Sequence, residues 1–225
     1  MAAARTGSGS RQGAAGPAAA AARGGVAPVA GRRQRERSDA TVEDLLAAAR
    51  ALFAAEGYTA ASLDAVCERA GVTKGALYHH FAGKRQLFGA VYAREQQRLA
   101  DTVTAAYLRE DDPWEAVFQG GRAYLEASLD PEVQRITLFD APGAVGWEAM
   151  RELGVNCRDL TLRGIARAIR RGAIAPRPAE PLTSILYGGL SESAMAIARA
   201  DDPREALQEA LADLRVLFDA LATGA

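Results

Sequence analysis

The sequence contains only two cysteines, Cys67 and Cys157, among its 225 residues. Two thiols cannot build the disulfide framework of a small secreted protein, and neither cysteine has a Cys or His neighbour at zinc-binding spacing. We therefore expect a protein of the reducing cytoplasm that has no metal site and no cofactor. Cys67 would then be a small buried apolar residue, with a redox sensor as the alternative.

Long apolar runs and sheet-forming patterns are absent as well. No stretch reaches the roughly 18 apolar residues that suggest a membrane-spanning helix, and no segment alternates apolar and polar residues as a strand does. Aromatic residues make up only 6% of the chain, whereas alanine and leucine, which both favour helices, are abundant. The sequence therefore predicts an all-α protein that does not contact a membrane.

Catalytic motifs are missing too. There is no phosphate-binding loop and no GxSxG nucleophile elbow, the nearest match being the GLSES of Gly189–Ser193. The two histidines, His79 and His80, are adjacent and lack metal-ligand spacing. We therefore expect no enzymatic activity. An enzyme that uses carboxylates such as Glu115 or Glu148 in a helical cavity remains the alternative.

The net charge of −1 conceals an uneven distribution. Residues 1–37 contain seven arginines and one acid, Glu36, so this end carries about +6 and the rest of the chain about −7. The composition of residues 1–36 predicts a disordered basic arm. Such an arm would attract nucleic-acid phosphates regardless of base sequence, and an inert tail is the alternative.

The stretch Ser62–Lys84 has the pattern of two short helices joined by a tight turn. Ser62 and Thr73 are suitable N-caps, and Gly71 can adopt the left-handed conformation that ends a helix. The first helix has apolar residues at helical spacing, namely Leu63, Val66, Cys67 and Ala70. This pattern predicts a helix-turn-helix, whose second helix enters the major groove of DNA. A solvated helix face is the alternative.

Longer helices should flank this unit. One should begin between Ser38 and Thr41 and end at Gly57, and another should run from Lys84 to about Leu108. Lys84 lies at a helix N-terminus, where cations are disfavoured. An anionic phosphate bound there would explain its position, and a solvated lysine is the alternative. The expected DNA-binding domain covers residues 37–84.

The segment Ala70–Phe88 (AGVTKGALYHHFAGKRQLF), with FAAEGYTAASLDAVCERAGV before it, resembles the DNA-binding domain of the TetR family of bacterial one-component regulators. The similarity covers roughly residues 41–92. It implies base readout by Thr73, Lys74, Gly75 and Tyr78. It implies contacts to the DNA backbone by Ser62, His79, His80 and Lys84. Many relatives have Thr where this chain has Ala76, which removes a hydroxyl contact and offers a contact to a thymine methyl group instead.

Residues 85–225 are predicted to form a helical domain that binds an effector and mediates dimerisation. Its helices should begin near Pro113, Pro131, Trp147, Pro181 and Pro203, with a break over Asp140–Gly146. The last two helices carry apolar and small residues that suit packing against another helix, and the resemblance implies a four-helix dimer interface. The expected interface residues are Ile185, Gly189, Leu207, Leu211, Leu214 and Phe218. An ordinary intramolecular core is the alternative.

Large apolar side chains concentrate in the first part of this second domain, where the predicted break would let helices separate around a cavity. The expected effector-pocket residues are Trp114, Phe118, Tyr124, Phe139, Trp147 and Met150. A simple hydrophobic core is the alternative.

Together these features favour a dimeric, ligand-responsive transcriptional repressor of the bacterial nucleoid. Its expected partners are a near-palindromic double-stranded DNA operator, a second copy of the chain and a small-molecule effector. The alternatives are an enzyme and an architectural DNA-binding protein.

Overall fold

The first four helices that the structure describes contain the predicted helix-turn-helix. The computed structural model describes residues 29–222, apart from the side chains of residues 29–31, 33, 34, 155 and 156. The four helices are Val29–Ala60 (α1), Leu63–Ala70 (α2), Lys74–His80 (α3) and Lys84–Tyr107 (α4).

Helix α1 begins earlier than predicted. Its first residue is Val29, so residues 29–36, which we assigned to the disordered arm, are helical. The arginines and glutamine of this segment are good helix formers, and Arg32 pairs with Glu36 one turn later at 3.7 Å. Composition alone therefore placed the start of the helix too late. The rest of the arm, residues 1–28, lies outside the described residues.

The predicted end of α1 is confirmed by the backbone of Gly57. This residue has φ 80° and ψ 165°, which interrupts the helix at the expected position. A side chain at Gly57 would need a conformation that L residues rarely adopt, and its Cβ would also lie 2.8 Å from a guanidinium nitrogen of Arg135. The backbone conformation therefore favours glycine here, and any larger residue would also have to displace the flexible end of Arg135.

Helices α1 to α4 pack around one apolar cluster. Phe53 of α1 and Phe88 of α4 are almost inaccessible, and their rings meet edge to face at 5.0 Å. The cluster continues along α4 to Tyr92 and includes Ile136 and Val145 from later in the chain. The predicted boundary between residues 84 and 85 therefore divides a single core.

The second half of the protein is also helical. Its elements are Pro113–Ala127 (α5), Pro131–Val133 (α6), a π-helical segment at Gln134–Asp140, Ala141–Ala144 (α7), Trp147–Leu153 (α8), Val155–Arg170 (α9), Ala179–Arg199 (α10) and Pro203–Leu221 (α11). Within residues 29–222 there is no β-strand, and extended pairing is limited to a bridge between Ile174 and Ala222. The predicted all-α fold is thus confirmed.

The predicted break over Asp140–Gly146 is wrong for most of its length. The chain stays helical through Ala144, because Pro142 lies in the first turn of α7, where no backbone N–H is needed. The chain turns only at Gly146, whose φ is 85°. The long helix expected after Trp147 is divided into α8 and α9 at Gly154.

Helix α4 occupies the centre of this second half, where it packs against α5 and α9. Trp114 joins α5 to α11: its ring stacks on Phe218 at 4.2 Å, and its Nε1 donates a hydrogen bond of 2.8 Å to the Phe218 carbonyl. No helix in the described part of the chain is both long and apolar enough to cross a membrane.

Candidate DNA-binding surface and effector cavity

The turn between α2 and α3 has the local structure that its sequence predicts. Ser62 Oγ accepts a hydrogen bond from Ala65 N at 3.0 Å, and Thr73 Oγ1 accepts one from Ala76 N at 3.1 Å. Gly71 ends α2 in the left-handed conformation, at φ 67° and ψ 28°. Both caps and the turn are therefore confirmed, and together they fix the angle at which α3 leaves the core.

The outer face of α3 is accessible, as DNA contact requires. Thr73, Lys74, Gly75 and His79 are exposed, and Tyr78 has 56% of its surface in solvent. Ala76 and His80 are half-buried, and Ser62 is exposed at the start of α2. On the opposite side Leu77 is fully buried. The structure thus brings the residues proposed for base readout onto one exposed surface.

Lys74 carries the positive charge at the start of α3, but an acid of α2 neutralises it. Its Nζ lies 2.7 Å from one oxygen of Asp64 and 2.8 Å from the other. The hydrogen bond to Asp64 raises the pKa of Lys74. A phosphate or base edge must therefore compete with Asp64 for the ammonium group.

Lys84 is held by the chain itself. Its Nζ donates to the Thr59 carbonyl at 2.9 Å and lies 4.9 Å from the centre of the Tyr58 ring. These contacts fix the ammonium beside the first turn of α4 and use one of its three donors. The remaining donors and the free N–H groups of that turn suit a phosphate.

Both thiols are buried. Burial raises the pKa of the Cys67 thiol, and it raises that of Cys157 to about 11. Because the thiolate is the reactive form, both residues are protonated and weakly nucleophilic at neutral pH. Cys67 packs in the α1–α4 core, which favours the predicted apolar role over redox sensing.

The predicted effector-pocket residues do not form one pocket. Trp114 and Phe118 belong to the core around Phe218, and Met150 packs against the α1–α4 core. Trp147 and Phe139 have 69% and 38% of their surfaces in solvent. The concentration of aromatic residues in this segment therefore did not identify a pocket. It reflects residues of the core and of the surface, because the sequence does not show which helices enclose a space.

A cavity of about 340 Å³ does exist, between α4, α5, α9 and α10, and its size is at the low end for small-molecule sites. Tyr124 is the predicted pocket residue that lines it. The lining also includes Gly120, Gly121 and Gly164, and an added Cβ would come within 3.3 Å of a neighbouring side chain at each of them. The lack of side chains there lets the helices approach each other closely around the space.

Sequence reasoning also missed the charged part of this cavity. Arg163, Arg167 and Arg170 of α9 all line it. Their spacing of four and three residues places them on one helix face. This periodicity, together with Gly164 within the same helix, was the signal available in the sequence.

The predicted dimer residues fall on two different surfaces. Leu207 and Phe218 are buried in the protein's own core, and Leu211 and Leu214 pack against it. The apolar row of α11 is thus part of an intramolecular seam, which corrects its assignment to the partner. Ile185 is 69% exposed, and a Cβ at Gly189 would meet nothing within 4 Å.

A different face of α11 is apolar and accessible. Val216 and Leu217 have 65% and 57% of their surfaces in solvent. Together with Ile185, Gly188 and Gly189 of α10, they form what we call the α10–α11 surface. Large exposed apolar residues concentrated on two adjacent helices are typical of an interaction site.

Three polar contacts join the α1–α4 region to residues 132–145. Arg50 binds Glu132 at 2.5 Å, the Tyr58 backbone N–H donates to Asp140 at 2.7 Å, and Arg85 donates to the Val145 carbonyl at 2.7 Å. Arg50 also binds Glu95 of α4 at 2.8 Å, and this carboxylate is only 2% exposed. Helices α1 and α4, which flank the helix-turn-helix, are therefore bound to residues 132–145 at several points.

Family models match two parts of the chain. Residues 45–91 match the model described as bacterial regulatory proteins, tetR family, and residues 114–221 match the tetracyclin repressor-like C-terminal domain. The chain is 31% identical over 123 residues to the transposon Tn10 TetC protein of Escherichia coli, covering 55% of this chain and 62% of that protein. It is 36% identical over 110 residues to the transcriptional activator FasR of Mycolicibacterium smegmatis, covering 48% of each. It thus spans between about half and three fifths of these curated relatives.

A solved structure matches over a greater length. The crystal structure of a TetR-family transcriptional regulator from Pectobacterium atrosepticum has a TM-score of 0.73 and 35% sequence identity, and it covers 84% of this chain and 97% of that one. By its fold, its helix-turn-helix and these similarities, the chain belongs to the TetR family of bacterial transcriptional regulators.

Proposed function

We propose that the protein is a dimeric transcriptional repressor that binds a near-palindromic operator and releases it when a small molecule enters the cavity. The observation that carries this proposal is the exposed face of α3, which is capped by Thr73 and anchored by the buried Leu77. In a two-fold dimer, two such helices enter successive major grooves about 34–36 Å apart. The protein would act in the cytoplasm, at the nucleoid.

The α10–α11 surface supports the dimer. Its glycines leave room for a partner helix, and its exposed Ile185, Val216 and Leu217 supply apolar area to bury. Dimerisation matters for binding because one recognition helix with a largely neutralised Lys74 offers few attractive charges. When two recognition helices are joined in one dimer, binding of the second half-site becomes intramolecular. The dimer therefore binds the operator more tightly than a single helix does, although each helix makes the same contacts.

Helix α4 supports a response to an effector. It begins next to α3 at Lys84, and its last turns contribute Val103, Thr104 and Tyr107 to the cavity wall. At 24 residues it is about 36 Å long. A ligand that fits the cavity better when α4 is displaced would shift the protein towards that arrangement and move both recognition helices.

The test is a gel shift with the promoter next to this gene. We expect the full-length protein at moderate salt to prefer this promoter to random DNA, and we expect Tyr78→Ala to reduce that preference. Equal affinity for both DNAs would refute the repressor proposal. Promoter binding that raises transcription of a reporter would instead indicate an activator.

The dimer surface needs its own experiment. Val216→Glu and Ile185→Glu should produce monomers in size-exclusion chromatography with light scattering, and they should bind the operator much more weakly. Trp147→Glu is the matched control, because it removes an equally exposed apolar residue from outside the α10–α11 surface. If the Val216 and Ile185 variants remain dimers, the interface lies elsewhere.

A further inference from the structure

The cavity between α4, α5, α9 and α10 has a strongly one-sided charge. Its lining includes three arginines, Arg163, Arg167 and Arg170, and no aspartate or glutamate. The rest of the lining consists of apolar and small residues, hydroxyls and the neutral thiol of Cys157. An electrostatic field from three cations beside apolar walls favours an anion in this space.

These arginines lack carboxylate partners in the region that the structure describes. None of the three forms an ion pair there, whereas Arg158 of the same helix binds Glu180 at 2.5 Å. Arg167 is the half-buried member of the trio, and its Nη1 donates to the hydroxyl of Tyr107 at 3.3 Å. A guanidinium has five N–H donors, so Arg167 keeps most of its donors for a ligand.

The two threonine hydroxyls of the cavity lining donate to the protein itself. Thr104 Oγ1 donates to the Ala100 carbonyl at 2.7 Å, and Thr161 Oγ1 donates to the Cys157 carbonyl at 3.1 Å. Their protons are therefore used within their own helices. The donors best placed for the polar end of a ligand are those of the arginines.

The apolar part of the lining limits the rest of the ligand. Val103, Val117, Leu160, Leu186 and Leu190 surround the space, together with Phe218. Most of a ligand's body must therefore be hydrocarbon, because unpaired polar groups would lose their hydration there. The volume of about 340 Å³ restricts it to a small molecule.

We infer that the effector is an amphipathic carboxylate whose acid group binds Arg167, with Arg163 and Arg170 at its side, and whose apolar body fills the cavity. Guanidinium groups match the planar, two-oxygen geometry of a carboxylate. This inference rests on the proposed function, since it specifies the ligand class of the effector cavity.

The experiment compares matched ligands by titration calorimetry on the full-length protein. The probes are hexanoate, octanoate, decanoate and dodecanoate, each paired with the alcohol of the same chain length, plus decyltrimethylammonium as the cationic counterpart. We expect at least one carboxylate to bind about tenfold or more tightly than its alcohol, from the strength of charge-assisted hydrogen bonds. The cation should not bind.

Substitutions of Arg167 test whether this residue causes the preference for carboxylates over alcohols. Arg167→Gln keeps a long polar side chain and removes the charge, so it should lower carboxylate affinity about tenfold or more and leave alcohol binding nearly unchanged. Arg167→Lys should recover part of the loss. Arg171→Gln is the matched control, because Arg171 is exposed just beyond α9 and does not line the cavity.

Several results would overturn the inference. Equal binding of acids and alcohols would show a cavity for neutral ligands, and equal losses for Arg167→Gln and Arg171→Gln would remove the assigned contact. Absence of binding by every carboxylate would also refute it. Operator binding of the same preparations is measured in parallel. If the ligand-free protein binds the operator specifically and no carboxylate affects it, only the inference is refuted. If the ligand-free protein shows no specific DNA binding, the proposed function is refuted.

Discussion

A substitution of Gly75, the second residue of α3, should weaken DNA binding without lowering the stability of the fold. A Cβ added to this residue would have one neighbour within 4 Å, Thr73 Oγ1 at 3.8 Å, which is an ordinary contact. Gly75→Ala should therefore leave the fold intact. Because alanine is the better helix former, the free energy of unfolding should stay constant or rise by up to about 1 kcal/mol.

The same methyl group should weaken DNA binding. Gly75 is exposed on the surface that we assign to the major groove, so an added carbon must displace either the helix or a DNA group. Crowding a close-packed contact costs about 1–3 kcal/mol, and each 1.4 kcal/mol corresponds to roughly a tenfold change in Kd. Because each protomer of a dimer carries the change, the total loss on the operator should be larger.

The assay combines fluorescence anisotropy on an operator duplex with thermal unfolding of the free protein. Gly143→Ala is the matched control: Gly143 is also helical, a Cβ there would meet nothing within 4 Å, and the residue lies in α7. We expect Gly143→Ala to keep full operator affinity. If Gly75→Ala also binds the operator with wild-type affinity, the start of α3 does not approach DNA closely and our orientation of the helix is incorrect.

Three further substitutions test the charges around the helix-turn-helix. Lys84→Ala should weaken binding to operator and random DNA alike, and in salt titrations should lower the slope of log K against log salt by about 1 for each protomer that contacts DNA; a loss confined to the operator would contradict a phosphate contact. Asp64→Asn should strengthen binding to both DNAs in the same titrations, because it releases Lys74, and unchanged affinity would show that their ion pair does not compete with DNA. Glu95→Ala should lower the free energy of unfolding by about 1.5–3 kcal/mol in urea, because it removes the buried carboxylate that accepts charge-assisted hydrogen bonds from Arg50 and Arg98. Glu43→Ala, which removes an exposed carboxylate between the same two helices, should have a much smaller effect, and equal effects would refute the importance of burial.

The helix-turn-helix could be predicted in detail because its signals are local. Ser62, Gly71 and Thr73 each act on backbone groups within four residues of themselves, so their residue types almost determine the structure. The same reasoning failed at Pro142, since a proline can either break a helix or occupy its first turn. The choice depends on what the neighbouring segments pack against, and here Ala141 and Ala144 are buried in the α1–α4 core.

The cavity and the α10–α11 surface were harder to predict because both depend on contacts between distant helices. The apolar row of α11 suits any helix as a neighbour, and in the structure Leu207 joins Leu125 and Ile197 of the same chain in one core cluster. Hydrophobic spacing shows that a face is buried and does not identify what buries it. The remaining apolar residues, such as Val216, become informative only when their exposure is known.

The arginine face of α9 also bears on how strongly an effector can act on DNA binding. A hundredfold loss of operator affinity requires a coupling free energy of about 2.7 kcal/mol. A charge-assisted hydrogen bond contributes about 1.5–3 kcal/mol, so a carboxylate contact with Arg167 that forms only in the displaced arrangement of α4 would nearly suffice. Tyr107 of α4 already accepts one hydrogen bond from Arg167, so the guanidinium that would bind the carboxylate is in direct contact with α4. The charged end of the ligand, more than its apolar body, is then expected to control the release of DNA.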